Sequence, residues 1–159
     1  MARHKTFLII IFFIVVLDQI SKFIIRGYLP LHHSIEIIPG IFSLTHITNP
    51  GAAFGLFRDG NETLRWLFLT GVSAIAVIVV FYLYIKSPCY FLTRLGFSLI
   101  AGGAIGNLID GVLFGEVTDF LDVYWKTYHW PAFNIADSTI TIGVAVTMFV
   151  LYRQQNKLP

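Results

Sequence analysis

The stretch EVTDFLDVYWKTYHWPAFNIAD, from Glu116 to Asp137, is the part of the chain around which the rest is organised. It opens with three carboxylates (Glu116, Asp119 and Asp122), continues through a run rich in aromatic residues, and ends with Asp137 at the start of a long apolar run. Acids beside a membrane are costly and usually mark a functional site. We therefore interpret Asp119 and Asp137 as a catalytic pair.

The composition is that of an integral membrane protein. Hydrophobic residues make up 56% of the 159 positions, charged residues only 13%, and the mean hydropathy is +0.74. The charged fraction is about half of the usual share in a globular protein. The net charge of +2 and the scattered cations argue against a nucleic-acid partner, and the single cysteine excludes a disulfide within the chain.

Four apolar runs predict a mainly α membrane protein with four transmembrane helices. A helix of 20 residues is about 30 Å long, which matches the hydrocarbon layer of a bilayer. The predicted spans are residues 6–25, 65–85, 92–109 and 134–151. We expect a single integral membrane domain over residues 1–159, with outer segments at 27–64 and 110–133.

The first outer segment is expected to contain a small β element. SIEII and IFSLTHIT lie between turn signals and read as short strands on the membrane surface. After them, NPGAAF places Ala52 and Ala53 behind a turn, where small residues leave room for an extended peptide; a tight turn alone is the alternative.

The second outer segment, which connects helices 3 and 4, is expected to lie at the membrane–water interface. Residues 116–130 carry four amphipathic aromatic side chains suited to the headgroup layer: Tyr124, Trp125, Tyr128 and Trp130. The pattern leaves open whether this interfacial segment is a strand or a short helix.

The distribution of cations predicts the orientation of the four spans. Residues 1–5, 86–94 and 152–159 hold six cations in 22 positions, whereas residues 26–65 and 110–133 hold four in 64. Because cytoplasmic loops are rich in Lys and Arg, both termini are expected in the cytoplasm. The acids then gather at the outer face of the membrane.

Two features of the spans have a structural and a functional interpretation. Asp18 and Lys22 are four residues apart on one helix face, so they form either a simple ion pair or a pair that holds this helix against the active site. Asn134 is a good N-cap, so Asp137 could be only a helix-start acid that favours the helix dipole. Further along, Gly102 and Gly106 form a GxxxG pattern, typical of close helix packing in lipid.

Paired carboxylates can perform the chemistry of an aspartic protease. Two carboxylates within hydrogen-bond reach share one proton and titrate as a unit. The ionised member takes a proton from water while the protonated member polarises a carbonyl group. This chemistry needs no metal or cofactor, and neither is expected. Spacing alone leaves Asp110 and Asp122 as alternatives to Asp119.

Five motifs give the chain a resemblance to the lipoprotein signal peptidases, also called signal peptidase II, a family of bacterial membrane aspartic proteases. The motifs are DQISK (18–22), NPGAAFG (49–55), GGAIGNLID (102–110), VTDF (117–120) and FNIADS (133–138). All five occur in order between the four spans, which makes the resemblance highly specific. It extends over nearly the whole chain.

The resemblance implies the site residues and the substrate. Asp119 and Asp137 match the family's catalytic aspartates, and Asp122 does not. Asn49, Asn107 and Asn134 match positions that line the site and contact the substrate. The implied substrate is a prolipoprotein whose cysteine already carries diacylglycerol, cut on the amino side of that cysteine. The family acts in the bacterial inner membrane and is inhibited by the cyclic peptide globomycin; membrane lipids are further partners, and a monomer is expected.

One position departs from the family pattern. The family usually has an arginine directly after the aspartate of the third motif, where this chain has Gly111 after Asp110. That arginine is expected to help hold the substrate at the headgroup level. Arg58, Arg65 and Lys126 are the candidates to replace it.

Two other functional classes compete with the protease. A proton-coupled transporter could use the acids as a relay, but four spans without an internal repeat and acids at one surface disfavour it. A non-catalytic membrane scaffold would use the acids only for capping and ion pairs, and it would tolerate Asp119→Asn.

Overall fold

The computed structural model describes residues 2–50, 62–87 and 90–155. Its elements, in chain order, are α1 (Ala2–Tyr28), β1 (Ser34–Ile38), β2 (Phe42–Asn49), α2 (Glu62–Lys86), α3 (Phe91–Phe114), β3 (Val117–Trp125), β4 (Tyr128–His129) and α4 (Ile135–Gln155). All four helices contain a stretch long and apolar enough to cross a membrane. The predicted architecture of four spanning helices with a small β element is confirmed.

The helices extend beyond the apolar runs that predicted them. The third span was expected to end at residue 109, but α3 continues through Asp110 to Phe114, and α1 continues from residue 25 to Tyr28. An apolar run ends where charged residues begin, whereas a helix ends at a backbone signal. For α3 that signal is Gly115, which adopts a left-handed conformation (φ 73°) and donates its N–H to the carbonyl of Gly111.

The centre of the helical bundle is α3, which packs against α1, α2 and α4. Small residues permit these close approaches. A Cβ atom added to Gly102 would lie 2.8 Å from the Ile14 side chain, and one added to Gly106 would lie 2.6 Å from Asp18 Oδ2. The GxxxG pair therefore brings α1 against α3, as its spacing predicted. Towards the opposite end, Phe7 stacks on Tyr84 with ring centroids 3.7 Å apart.

A four-stranded antiparallel sheet lies where α1 and α3 end and α4 begins. Its strand order is β1-β2-β3-β4, and the first two strands are those predicted from SIEII and IFSLTHIT. The segment after α3, for which the sequence left strand or short helix open, is a strand that pairs with β2. The two outer segments thus form one sheet.

Two irregularities at β3 shape the region of the candidate site. The register between β2 and β3 shifts between Leu44 and Ile47, so that Ile47 lies opposite Asp119 and Asn49 opposite Val117. On the other edge of β3, Leu121 forms an isolated bridge with Phe133, just before α4 begins. This bridge brings the start of α4 beside the middle of β3.

Candidate active site

Asp119 is a buried carboxylate in β3. Its exposed fraction is 3%. Its Oδ1 accepts a hydrogen bond from Asn134 Nδ2 at 2.8 Å, and its Oδ2 accepts one from Asn49 Nδ2 at 3.2 Å. Asn49 lies opposite Val117 in the register, so it reaches Asp119 diagonally across β2 and β3. Both oxygens of Asp119 are thus held by asparagine amides.

Asp137 lies in the first turn of α4 and forms a reciprocal cap with Asn134. The Asp137 N–H donates to Asn134 Oδ1 at 2.8 Å, and the Asn134 N–H donates to Asp137 Oδ2 at 3.3 Å. The other carboxylate oxygen, Oδ1, accepts a hydrogen bond from Asn107 Nδ2 at 2.8 Å. The helix-start role considered from the sequence is therefore present, and it leaves one oxygen directed at α3.

Asn134 connects the two aspartates. It is fully buried, and it contacts Asp119 through its side-chain amide and Asp137 through its backbone N–H. The same side-chain amide lies 3.3 Å from Asn107 Oδ1. The sequence-predicted residues Asn49, Asn107, Asn134, Asp119 and Asp137 therefore form one hydrogen-bonded cluster.

The electrostatic environment raises the pKa of Asp119 to about 7. Burial is the main cause, because it removes water from the charged form, and the nearby negative charge of Asp137 raises the pKa further. Hydrogen bonds from Asn49 and Asn134 and the positive charge of Lys22 act in the opposite direction. Near neutral pH this carboxyl can therefore exist in either protonation state.

A second buried cluster, centred on Lys22, supports the first. Lys22 Nζ lies 2.8 Å from Asp18 Oδ2 and 3.2 Å from Asp110 Oδ2, and all three side chains are fully buried. It also donates to Asn107 Oδ1 at 3.0 Å. Both interpretations of the Asp18 and Lys22 pair are thus compatible with the geometry: the ion pair exists, and it contacts the asparagine that binds Asp137.

Sequence reasoning missed Arg26. Its guanidinium lies 3.4 Å from Asp110 Oδ1 and donates to Thr118 Oγ1 at 3.1 Å. The signal was present, because Arg26 follows Lys22 by four residues and so continues the same face of α1. A guanidinium therefore does lie beside Asp110, supplied by α1 and not by the residue at position 111.

The other residues selected from the sequence lie elsewhere. Asp122, the alternative to Asp119, contacts His129 Nδ1 at 2.9 Å on the outer part of the sheet. Lys126 occupies the turn between β3 and β4 with a φ of 59°. Ala52, Ala53, Arg58 and the side chain of Arg65 are outside the described part of the chain.

The arrangement is suited to hydrolysis by a pair of carboxylates. One carboxyl, Asp119, has a pKa of about 7. The other, Asp137, accepts hydrogen bonds from the Asn107 side chain on α3 and from the Asn134 backbone N–H at the N-terminus of α4, where negative charge is favoured. Such a pair can hold one proton and activate a water molecule. Among the described residues, no group of three or more His, Cys, Asp or Glu side chains could hold a metal ion.

The chain is similar to a known family and to known proteins over most of its length. The family profile described as Signal peptidase (SPase) II matches residues 10–153. The lipoprotein signal peptidase of Desulforapulum autotrophicum is 46% identical over 147 residues, covering 92% of this chain and 90% of that protein. The lipoprotein signal peptidase of Geobacter sulfurreducens is 46% identical over 142 residues, covering 89% and 88%.

Solved structures show the same fold. One bacterial membrane enzyme superposes with a TM-score of 0.82 at 36% identity, over 97% of this chain and 92% of that chain. A second superposes with a TM-score of 0.78 at 37% identity, over 92% of each chain. The sequence matches and the shared fold together show that this integral membrane protein belongs to the signal peptidase II family.

Proposed function

We propose that this protein is an aspartic endopeptidase that removes signal peptides from diacylglyceryl-modified prolipoproteins. Cleavage takes place on the amino side of the lipidated cysteine. Asp119 and Asp137 are the catalytic pair, and Asn49, Asn107 and Asn134 hold them and the substrate. The observation that carries the proposal is that one buried asparagine, Asn134, binds both carboxylates in a chain of this family.

The proposed reaction uses the two carboxyl groups in different protonation states. Asp119 holds the shared proton at rest, because burial and the nearby charge of Asp137 raise its pKa to about 7. Asp137 is the ionised member and takes a proton from the attacking water, while Asp119 gives its proton to the carbonyl oxygen. The tetrahedral intermediate then collapses as Asp137 gives the proton it took from water to the amide nitrogen of the cysteine and Asp119 takes back a proton from a hydroxyl of the intermediate, which releases the signal peptide.

The location in the membrane explains how the substrate reaches the site. We propose that both termini are cytoplasmic and that the site opens at the outer face of the inner membrane, as the distribution of cations indicates. A substrate anchored by its diacylglycerol then diffuses in the plane of the bilayer and presents its cleavage site beside the sheet. We further propose that residues 1–159 form a single domain that acts as a monomer among membrane lipids. Ala52 and Ala53 contact the extended substrate peptide, and a globomycin-type cyclic peptide competes for the same site.

The test is cleavage of a diacylglyceryl-modified prolipoprotein by the purified full chain in detergent. The wild-type protein should cut before the lipidated cysteine, and a globomycin-type peptide should block the cut. Asp119→Asn and Asp137→Asn should each reduce kcat by at least about 1000-fold, because either change removes a proton-transfer group. Asp122→Asn is the matched control, and it should retain activity.

The outcomes separate the competing classes. Full activity in Asp119→Asn would assign that residue a structural role and would make Asp122 or Asp110 the next candidate. A wild-type protein that neither cuts nor moves protons would favour the scaffold. A wild-type protein that moves protons across vesicles but cuts nothing would favour the transporter, although the position of the acids at one end of the bundle disfavours a relay.

A further inference from the structure

We propose that Arg26 is a positioning residue that acts on Asp119 through Thr118. The inference rests on the proposed function, because Asp119 is taken as one of the reacting carboxyls. Arg26 would contribute to the rate without touching the substrate.

The first observation is that two hydrogen bonds, one from Arg26 and one to Asp110, hold Thr118, the residue before Asp119. We call these two bonds the grip on Thr118. Arg26 donates to Thr118 Oγ1 at 3.1 Å, and the Thr118 N–H donates to Asp110 Oδ2 at 3.1 Å. Successive strand residues point to opposite faces. The grip therefore fixes the backbone next to Asp119 and leaves the face that carries the carboxyl group unobstructed.

The second observation is the way that Arg26 itself is fixed. Its guanidinium lies over the ring of Phe114, 4.3 Å from the centroid, and the side chain is 23% exposed. Phe114 is the last residue of α3. Arg26 therefore ties three elements together: its own helix α1, the end of α3 and the start of β3. Such a stacked guanidinium is more fixed than a free lysine would be.

The third observation is the balance of charge around Asp110. Asp110 is fully buried, with Lys22 at one oxygen and Arg26 at the other, and Lys22 is shared with Asp18. Two carboxylates and two cations make this cluster neutral. Without Arg26, Lys22 alone would compensate two buried carboxylates, and one negative charge would remain uncompensated.

The negative charge left uncompensated without Arg26 would act on the catalytic pair. The charged groups that act on Asp119 are Asp137 on α4 and Lys22 on α1. Lys22 is paired in turn with Asp18 and with Asp110 on α3, and Asp110 also contacts Arg26 on α1. A net negative charge on this side disfavours ionisation of a carboxyl. Loss of Arg26 should therefore shift the pH dependence of cleavage towards higher pH, in addition to lowering the rate.

The test compares Arg26→Gln, Arg26→Lys and Thr118→Val in the full chain, with the diacylglyceryl-modified prolipoprotein as substrate. Arg26→Gln should lower kcat about 10-fold with KM changed less than about 2-fold, because misplacement of a reacting group affects the chemical step. Its pH profile should move upwards. Arg26→Lys keeps the charge and should restore the profile and most of the rate.

A structural measurement tests the grip independently of activity. Hydrogen–deuterium exchange of residues 117–121 should become faster in Arg26→Gln and in Thr118→Val than in the wild type. Arg153→Gln is the matched control, since Arg153 also lies over an aromatic ring, that of Phe149 at 5.5 Å, but in the last turn of α4. It should change neither exchange in this segment nor kcat.

Several results would overturn the proposal. An Arg26→Gln variant with wild-type kcat and exchange would show that the grip is dispensable. A raised KM with unchanged kcat would assign Arg26 to substrate binding. If Arg26→Gln fails to fold, Thr118→Val decides the matter, because it replaces the hydroxyl group that Arg26 binds with a methyl group of similar size: normal kcat and exchange would reject the proposal. If the wild-type protein does not cleave, the proposed function fails, and the exchange data still confirm or reject the grip.

Discussion

The carboxylate of Asp18 accepts a hydrogen bond from the backbone N–H of Ala136 at 2.9 Å, although the two residues are 118 positions apart. Ala136 is in the first turn of α4, where N–H groups have no partner within the helix. Asp18 therefore caps α4 from α1, one residue before Asp137. A charge in the first span thus holds the second candidate catalytic residue in place.

Replacement of Asp18 by asparagine should destabilise the protein. The variant keeps an oxygen for Ala136 but leaves Lys22 with one carboxylate fewer in a fully buried site. Removing one partner of a buried ion pair costs about 3–5 kcal/mol. We expect a lower Tm in detergent and weaker cleavage. Asp122→Asn, which affects a partly exposed pair with His129, should leave Tm nearly unchanged; equal shifts for both variants would contradict the role given to Asp18.

The pH dependence of cleavage should reflect the raised pKa of Asp119. In the proposed mechanism the pair is active with one proton, and Asp119 loses that proton as the pH rises through about 7. We expect kcat/KM to fall about tenfold per pH unit above this value, since each further unit removes nine-tenths of the protonated form. Initial rates of cleavage between pH 5 and 9 measure this fall in kcat/KM. A flat profile up to pH 9 would mean that Asp119 does not hold the working proton.

The stability of Asp119→Asn relative to the wild type should increase with pH. The folded-state pKa of Asp119 lies above its usual 3.8, so its contribution to wild-type stability is complete below about 4 and is lost as the pH rises through about 7. Asparagine does not ionise, so the variant has no such loss of stability. The difference between the pKa values of 3.8 and about 7 corresponds to a loss of roughly 4 kcal/mol in the free energy of unfolding of the wild type.

Thermal unfolding in detergent at pH 4, 6 and 8 provides the comparison. The difference in Tm, variant minus wild type, should become more positive at each step. A difference that stays constant, or that shrinks at high pH, would show that Asp119 is not desolvated in the folded protein.

Gly103 should not tolerate even an alanine. A Cβ atom there would collide with the carbonyl oxygen of Ala136 and lie 2.7 Å from the Thr139 and Ile140 side chains. Gly103→Ala must push α4 away from α3, which displaces Asp137 from Asn107. A shift of about 1 Å at a catalytic group can cost about 100-fold in rate. Gly71→Ala in α2 is the control and should retain activity, because among the described residues no atom beyond its own stretch of helix lies within 4 Å of an added Cβ atom. A fully active Gly103→Ala would argue against tight coupling of the two helices.

The fold was largely predictable because its signals are local. Hydropathy located four spans, and turn residues located β1 and β2, since each depends on neighbouring residues only. The pairing of β2 with β3 was not predictable, because the two strands are about 70 residues apart and are separated in the sequence by α2 and α3. Helix ends were also missed where polar residues such as Asp110 continue the helix beyond the apolar run.

The site was less predictable than the fold. Asp119 and Asp122 are three residues apart in one strand and so point to opposite faces, but no spacing rule says which face meets α4. The family resemblance, and not the spacing, favoured Asp119. Arg26 could have been found by extending the Asp18 and Lys22 face by one more turn, whereas its contact with Thr118 depends on tertiary structure.

The ion pair between Asp18 and Lys22 has a consequence for biogenesis. The partners that later surround it, in α3 and α4, are synthesised roughly 85 to 120 residues after it. A lone charge in a nascent span opposes entry into the bilayer by about 2.5–3.5 kcal/mol. Because Asp18 and Lys22 lie one helical turn apart on the same span, each is the counter-ion of the other before α3 and α4 are made, so α1 enters the bilayer with this pair of charges already neutralised.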